Sequence, residues 1–247
     1  LYTNIAFVYE ENHIDEESTE FISILNSDAT NFFDLQKINS SQYAEAKRAI
    51  KELQMLLPVT PAVAGVYAQV EVNKGIWKAA ANINIDRALS LKYNVTDEQQ
   101  GDLNVDSIAG KSINVIRKFT GKGNAIIWGG RTLAGNDNEW RYVSVQRYVA
   151  MLEKSIKTGI APFVFEPNEP TTWIKIKTTI QNYLTEQWRL GALAGAKPEQ
   201  AFFVKLGLNE TMTAFDISEN RMIVECGVAP VRSAEFIIFR LQLKSST

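Results

Sequence analysis

The stretch NDNEWRYVSVQRYVAMLEKSIKTG, residues 136–159, decides how the rest of the chain is interpreted. Its apolar side chains recur at spacings of three and four residues, which places them on one face of an α-helix. These side chains belong to Val145, Tyr148, Val149, Leu152 and Ile156. Gly159 predicts the end of the helix, because glycine readily takes the left-handed conformation that closes a last turn. A single apolar face predicts a helix that packs on a core.

Strand and helix patterns alternate on the C-terminal side of this stretch. APFVFEPNEP, residues 161–170, predicts a short buried strand that leaves through a proline-rich turn. TTWIKIKTTIQNYLTEQWRLGALAG, residues 171–195, predicts a second amphipathic helix. Its aromatic stripe is more typical of a core or an interface than of a cofactor site. AFFVKLG, RMIVECGVAPV and AEFIIFRLQLK predict three further strands.

The N-terminal part is organised differently. The first forty residues contain the strand-like runs NIAFVYE and EFISILN and predict an extended arm or insertion. SQYAEAKRAIKELQMLL, residues 41–57, is rich in helix formers and predicts a helix that ends at Pro58. A further helix is predicted from VTPAVAGVYAQVEVNKG, with Pro61 in its first turn and Gly75 at its end.

The middle of the chain completes the fold class. ALSLKYNV, INVIRKF and AIIWGG predict strands, and TDEQQGDLN predicts a helix capped by Thr96. Alternation of this kind predicts an α/β or α+β layered core domain over residues 58–235. Residues 1–57 then form an N-terminal arm or variable outer region that includes the helix at 41–57, and residues 236–247 form a C-terminal arm strand.

Composition excludes several classes of function. The chain has 26 basic and 28 acidic residues and a pI near 5.7, so it lacks the basic surface that binds nucleic acid. Its one histidine, His13, lies in an acidic stretch, which argues against a catalytic triad or a histidine zinc site. Its one cysteine, Cys226, is predicted to be a small buried hydrophobe. No apolar run approaches the roughly 20 residues of a membrane span, and we expect a cytosolic chain without membrane insertion.

SIAGKS, residues 107–112, ends like a phosphate-binding loop. That motif needs a glycine where this chain has Val105, and it follows a strand and opens a helix. Here the following INVIRKF predicts a strand, so the order of elements is reversed. GKGNAIIWGG lacks the third glycine of a dinucleotide fingerprint and predicts a hairpin turn. We therefore expect no nucleotide and no other cofactor or metal.

Two acidic pairs could in principle act as a general acid and base. Glu166 and Glu169 lie in FEPNEP, where two prolines define a turn, and Asp216 and Glu219 lie in a polar segment that predicts a turn. Structural roles fit both pairs better than catalysis does.

The last strand pattern lies close to the chain end. In FRLQLK, residues 239–244, one face of the strand carries Phe239, Leu241 and Leu243. The other face carries polar side chains. Periodicity leaves two alternatives open: the strand pairs inside its own sheet, or it is donated to a neighbouring subunit.

Several longer runs carry a family resemblance. They are GVYAQVEVNKGIWKAAAN (65–82), NVIRKFTGKGNAIIWGGRTLAGNDNEWRYVSVQRYVAMLEKSI (114–156), FEPNEPTTW (165–173), WRLGALAGAKPEQAFFV (188–204) and TMTAFDISENRMIVECGVAPVRSAEFIIF (211–239). In this order they resemble the contractile tail sheath family of phage tails, phage-tail-like injection particles and type VI secretion relatives. Departures from the family pattern are confined to single positions such as Ala80, Gly130 and Ser233.

The resemblance implies a structural protein rather than an enzyme. Sheath subunits polymerise around an inner tube, and contraction triggered at the baseplate drives the tube through a target envelope. The implied partners are further copies of the chain, the inner tube protein, and baseplate and cap proteins. Assembly is implied in the cytoplasm of the producing bacterium, in a particle that is released or anchored to its envelope.

The resemblance also implies which residues make contacts. Arms that pair with neighbouring subunits would contain Ile5 and Phe7 at the N-terminus and Phe236, Ile238, Phe239, Leu241 and Leu243 at the C-terminus. The helix predicted over residues 173–190 would face the tube through Lys175, Lys177 and Arg189. Two alternatives remain: a sheath-like cap or baseplate component that does not polymerise, and a cytosolic enzyme that binds a phosphorylated ligand at residues 110–112.

Overall fold

A computed structural model describes residues 5–8, 32–52, 54–106 and 108–234. Contacts between residues divide the chain into two compact units. Unit 1 comprises residues 1–66, 81–101 and 114–129, and unit 2 comprises residues 67–80, 102–113 and 130–247. These units do not follow the predicted domain boundaries at residues 57 and 235, which stay predictions.

Unit 1 contains two small antiparallel sheets. The first has β1 (Ile5–Val8) between β2 (Gln54–Leu57) and β4 (Ala88–Leu91). The second has β6 (Gly123–Trp128) between β3 (Ile83–Asn84) and β5 (Val115–Phe119). The predictions of strands at β1, β4, β5 and β6, and of a hairpin turn between β5 and β6, are confirmed. Strand β6 of the second sheet is buried in its middle, with Ala125, Ile126 and Ile127 at 0–4% exposure.

The helices of the N-terminal half are α1 (Phe32–Ile38), α2 (Ser40–Glu52), α3 (Thr60–Lys74) and α4 (Asp97–Asn104). Thr96 caps α4 as predicted: the Gln99 backbone N–H donates to Thr96 Oγ1 at 3.2 Å, and Gln99 Oε1 accepts the Thr96 N–H at 3.1 Å. The prediction of one helix over residues 41–57 is wrong. The helix ends at Glu52, because residues 54–57 pair with β1 as a strand, and this tertiary pairing outweighs local helix propensity.

Unit 2 is built around two long helices, α5 (Val143–Ile160) and α6 (Pro170–Arg189). Shorter elements follow: α7 (Pro198–Ala201), β7 (Phe202–Lys205), α8 (Ala214–Ser218) and β8 (Glu225–Val228), with β7 and β8 paired antiparallel. The two long helices confirm the sequence prediction, and they bury Tyr148, Leu152, Ile176, Ile180 and Leu184 at 0–3% exposure. Helix α5 runs one residue past Gly159, so that glycine does not end it.

Three smaller predictions for unit 2 are wrong. Residues 161–170 form no strand: a short 3-10 turn at Ala161–Phe163 is followed by an exposed turn, because Pro162 and Pro167 lack the N–H groups that a strand ladder needs. Residues 214–218 form helix α8 rather than a turn. Cys226 is exposed, because the two-stranded β7–β8 sheet gives its side chain little cover.

Candidate interaction surfaces

Helix α6 has a buried face and an exposed face. Ile176, Ile180 and Leu184 are buried at four-residue spacing. Lys175 and Arg189 are exposed, and at about 100° per residue they project about 40° apart on the same side of the helix. Lys177 projects about 160° from Lys175, is half-buried, and its Nζ lies 3.6 Å from Glu210 Oε2. The helix therefore brings two of the three predicted cationic residues to one face.

The Asn168 side chain links the proline-rich turn before α6 to two other segments of unit 2. Trp173 Nε1–H donates a hydrogen bond to Asn168 Oδ1 at 2.7 Å. Asn168 Nδ2–H donates to the backbone oxygen of Arg221 at 3.1 Å, 53 residues further along the chain. One amide side chain thus fixes the turn to α6 and to the segment that leads into β8.

Phe165 lies at the tip of this turn in an unusual conformation. The Glu166 backbone N–H donates to the Phe163 oxygen at 3.1 Å, which closes a β-turn with Phe165 in its third position. Phe165 has φ of +76°, in the left-handed region that favours glycine. Its relative exposure is 103%, so packing against the described residues does little to offset the strain.

An apolar groove of about 720 Å³ opens beside Phe165. Ile176, which is 2% exposed, lies at its base, and the half-buried Phe163, Met222 and Val224 line it. Val164, with 62% of its surface exposed, borders the opening. The volume falls within the roughly 300–1,000 Å³ of ligand pockets, and the lining is mainly apolar, which suits aliphatic and aromatic side chains better than a charged ligand.

The loop that ends in Gly-Lys-Ser is held by hydrogen bonds to a carboxylate of its own chain. Asp106 Oδ1 accepts the Ile108 and Ala109 backbone N–H groups, each at 2.7 Å. The hydrogen bond from Ala109, followed by the one from Ile108, holds the pKa of the Asp106 carboxyl below its usual value. The segment follows helix α4 and precedes strand β5, the reverse of a phosphate-binding loop. A carboxylate therefore takes the donors that a phosphate would need.

The acidic residues of the second pair have a structural role. Asp216 and Thr213 form a reciprocal capping box at the start of α8, and Arg221 Nη2 lies 2.8 Å from Asp216 Oδ1. The Thr213 hydroxyl hydrogen bond is the main cause of the lowered pKa of Asp216. Glu166 and Glu169 are exposed in the turn before α6. Asp216 thus serves to start a helix.

Other predicted residues lie elsewhere. Ile5 and Phe7 belong to β1, whose two sides are filled by β2 and β4 of the same chain. Phe236, Ile238, Phe239, Leu241 and Leu243 lie outside the described residues, as does His13. Among the described residues there is no cluster of three His, Cys, Asp or Glu side chains arranged to hold a metal, and no helix there is long and apolar enough to cross a membrane.

Sequence reasoning missed the groove and the exposed Phe165. The apolar composition of APFVF predicts a buried strand. The signal that points to a turn is the pair of flanking prolines, Pro162 and Pro167, which disfavour a ladder strand.

Comparison with known proteins places these surfaces in context. Residues 135–244 match the family model for the phage tail sheath C-terminal domain. A chain of the anti-feeding prophage (AFP) baseplate is 41% identical with a TM-score of 0.71, covering 77% of this chain and 51% of that chain. A chain of the PVC sheath complex, an extracellular contractile injection system in the contracted state, is 42% identical with a TM-score of 0.71, covering 76% and 51%.

The AFP helical sheath in the contracted state gives a further match, at 41% identity and a TM-score of 0.70, covering 76% of this chain and 51% of that chain. The curated proteins contain no match. The chain spans about half the length of the solved relatives it matches. At this identity and coverage, together with the family-model match, the mixed helix and sheet fold is that of a sheath protein, and the chain belongs to the contractile tail sheath family, whose members are structural proteins and not enzymes.

Proposed function

We propose that this chain is part of a sheath subunit that polymerises around an inner tube and contracts to drive the tube through a target envelope. The observation that carries the proposal is the 41–42% identity to sheath chains solved in the contracted state. The site geometry supports it, because Asp106 accepts the Ile108 and Ala109 N–H groups of the loop that ends in Gly-Lys-Ser, and Asp216 caps a helix.

Contacts between subunits are proposed to run through the two arms. The C-terminal arm, with Phe236, Ile238, Phe239, Leu241 and Leu243, would pair with a neighbouring subunit by strand addition. Among the described residues, β7 and β8 pair only with each other, which leaves strand edges for such an addition.

The N-terminal arm is proposed to work by strand exchange. The segment with Ile5 and Phe7 is the middle strand of its own sheet. A strand that fits between β2 and β4 of its own chain fits the same place in an identical neighbour, which is the basis of domain swapping. Exchange would link subunits while each keeps its fold during contraction.

The tube contact is proposed for the exposed face of α6. Lys175 and Arg189 share that face and lie about 21 Å apart along the helix axis, at about 1.5 Å per residue. Both are exposed, so they are available to acidic side chains of a tube protein. Lys177, the third residue predicted for this contact, is the least available because it lies beside Glu210.

Electron microscopy of the full-length protein, with and without its tube partner, tests the proposal. Hollow striated cylinders are the expected result. Dispersed particles in both preparations would contradict polymerisation and favour the second candidate, a sheath-like baseplate or cap component. That candidate has an observation in its favour, since one similar chain belongs to the AFP baseplate.

The proposed location follows from the proposed particle. Subunits would assemble in the cytoplasm of the producing bacterium, and the finished particle would be released or anchored to the envelope. The second similar structure is described as an extracellular contractile injection system. Fractionation of producing cells, with the protein followed in both lysate and medium, tests this assignment.

A further inference from the structure

We propose that the apolar groove beside Phe165 receives the apolar side chains of the C-terminal segment, residues 235–247, of a neighbouring copy. The inference rests on the proposed sheath function and adds a defined docking site to it. In this arrangement strand addition would provide backbone hydrogen bonds. The groove would fix the register of the segment, because its apolar side chains bind at one place on the neighbour.

The first argument is the match between groove and segment. The groove combines about 720 Å³ of space with an apolar lining that includes Phe163, Ile176 and Met222. The segment has thirteen residues, and six of them are large and apolar: Phe236, Ile237, Ile238, Phe239, Leu241 and Leu243. Removing large apolar side chains from water is favourable, and an apolar groove can receive them.

The second argument is charge. Glu166 is the charged residue of the groove lining, and the lining contains no lysine or arginine. The segment carries Arg240 and Lys244 against one acidic residue, Glu235. Opposite charge at the border of an apolar contact favours one orientation of the segment over the reverse.

The third argument is position. Met222 and Val224, which line the groove, lie directly before β8. Among the described residues β8 pairs only with β7, so a segment added along its other edge would meet the groove as it passes the start of β8.

Phe165 fits the same arrangement. Phe165 has a left-handed backbone conformation, and its fully exposed ring lies at the border of the groove. The hydrogen bond from Asn168 to Arg221 holds the turn that positions this ring. An aromatic side chain at the edge of a pocket is a common anchor for an incoming segment.

Cross-linking between copies tests the occupant. All chains carry Cys226→Ser, which removes the one native thiol. One copy carries Val164→Cys and the other Ile238→Cys, and mixed assemblies are oxidised mildly. We expect a disulfide-linked dimer in at least about tenfold excess over a control with Leu133→Cys, a residue 68% exposed that does not line the groove. Equal yields from the two positions overturn the proposal.

A chain that carries both Val164→Cys and Ile238→Cys identifies which copy supplies the segment. At high dilution we expect no internal cross-link. A cross-link inside one chain would show that the groove holds its own terminus and would overturn the assignment to a neighbour.

Peptide binding separates this inference from the sheath function. A fluorescein-labelled peptide of residues 235–247 is titrated with the full chain, and anisotropy is measured. Val164→Asp is expected to weaken binding at least about tenfold, and the matched Leu133→Asp to leave it within about twofold. Sheaths that form without groove-dependent binding overturn the groove inference alone, and groove-dependent binding by a chain that never forms sheaths overturns the proposed function alone.

Discussion

Replacing Phe165 with glycine is expected to stabilise the isolated chain. A non-glycine residue in the left-handed region costs roughly 1–2 kcal/mol, and Phe165 has φ of +76°. Glycine removes that cost but gains about 0.4–1 kcal/mol of unfolded-state freedom. The ring is 103% exposed, so its loss removes little packing. The net gain in unfolding free energy is about 0.5–1 kcal/mol.

Thermal unfolding followed by circular dichroism measures this gain. For a chain of this size, about 1 kcal/mol shifts Tm by roughly 2–4 °C, so Phe165→Gly is expected to raise Tm by about 1–4 °C. Phe165→Ala is the matched comparison, because alanine also removes the ring but keeps the left-handed penalty. We expect the alanine variant to melt at or slightly below the temperature of the parent chain.

A second position controls for glycine itself. Asn209 has φ of +62°, and asparagine tolerates this region, so Asn209→Gly is expected to change the unfolding free energy by less than about 0.5 kcal/mol. A Phe165→Gly variant that melts below the parent chain would refute the reasoning. That outcome would mean that contacts of the aromatic ring stabilise the fold by more than the left-handed backbone conformation costs.

Three further predictions concern assembly and pH. A chain ending at Arg240 is expected to lose sheath assembly in electron micrographs while its Tm changes by less than about 2 °C, because the removed residues are proposed to pair with a neighbouring subunit; normal sheaths would contradict the arm assignment. Lys175→Glu combined with Arg189→Glu is expected to reduce co-sedimentation with the tube at least about tenfold, and Lys177→Gln to reduce it less. Asp216→Asn is expected to lower Tm at neutral pH, because the folded pKa of Asp216 lies below 3.8 and its stabilisation exists above that value. The difference from the parent chain should vanish as the pH falls through the folded pKa, and a constant difference would count against the capping role.

The long helices were predictable because their apolar residues recur at helical spacing along the sequence. Val145, Tyr148 and Leu152 recur at helical spacing in α5, and all three are buried at 0–3% exposure. The cap at Thr96 was predictable for a similar reason, since its partner Gln99 is three residues away. Interactions of this range depend only on neighbours along the chain.

Other parts depend on residues far apart in sequence. Residues 54–57 follow a strong helix pattern, and only the distant β1 strand makes them a strand. The shape of the groove depends on Asn168 reaching the backbone of Arg221, a contact with no periodic signal. Family resemblance pointed to α6 as the helix proposed to face the tube, but it could not show that Lys177 lies beside Glu210 on a different side from Lys175.

The misread turn at residues 161–165 also bears on function. Folding of a single chain favours agreement between local propensity and tertiary structure, and disagreement is expected where another requirement competes. Here a phenylalanine occupies a conformation that glycine prefers, and its ring contacts solvent instead of the core. Neither feature stabilises the isolated chain, whereas a partner that covers the ring would offset the roughly 1–2 kcal/mol of backbone cost. The strain at Phe165 therefore favours an interface at this turn over a passive loop.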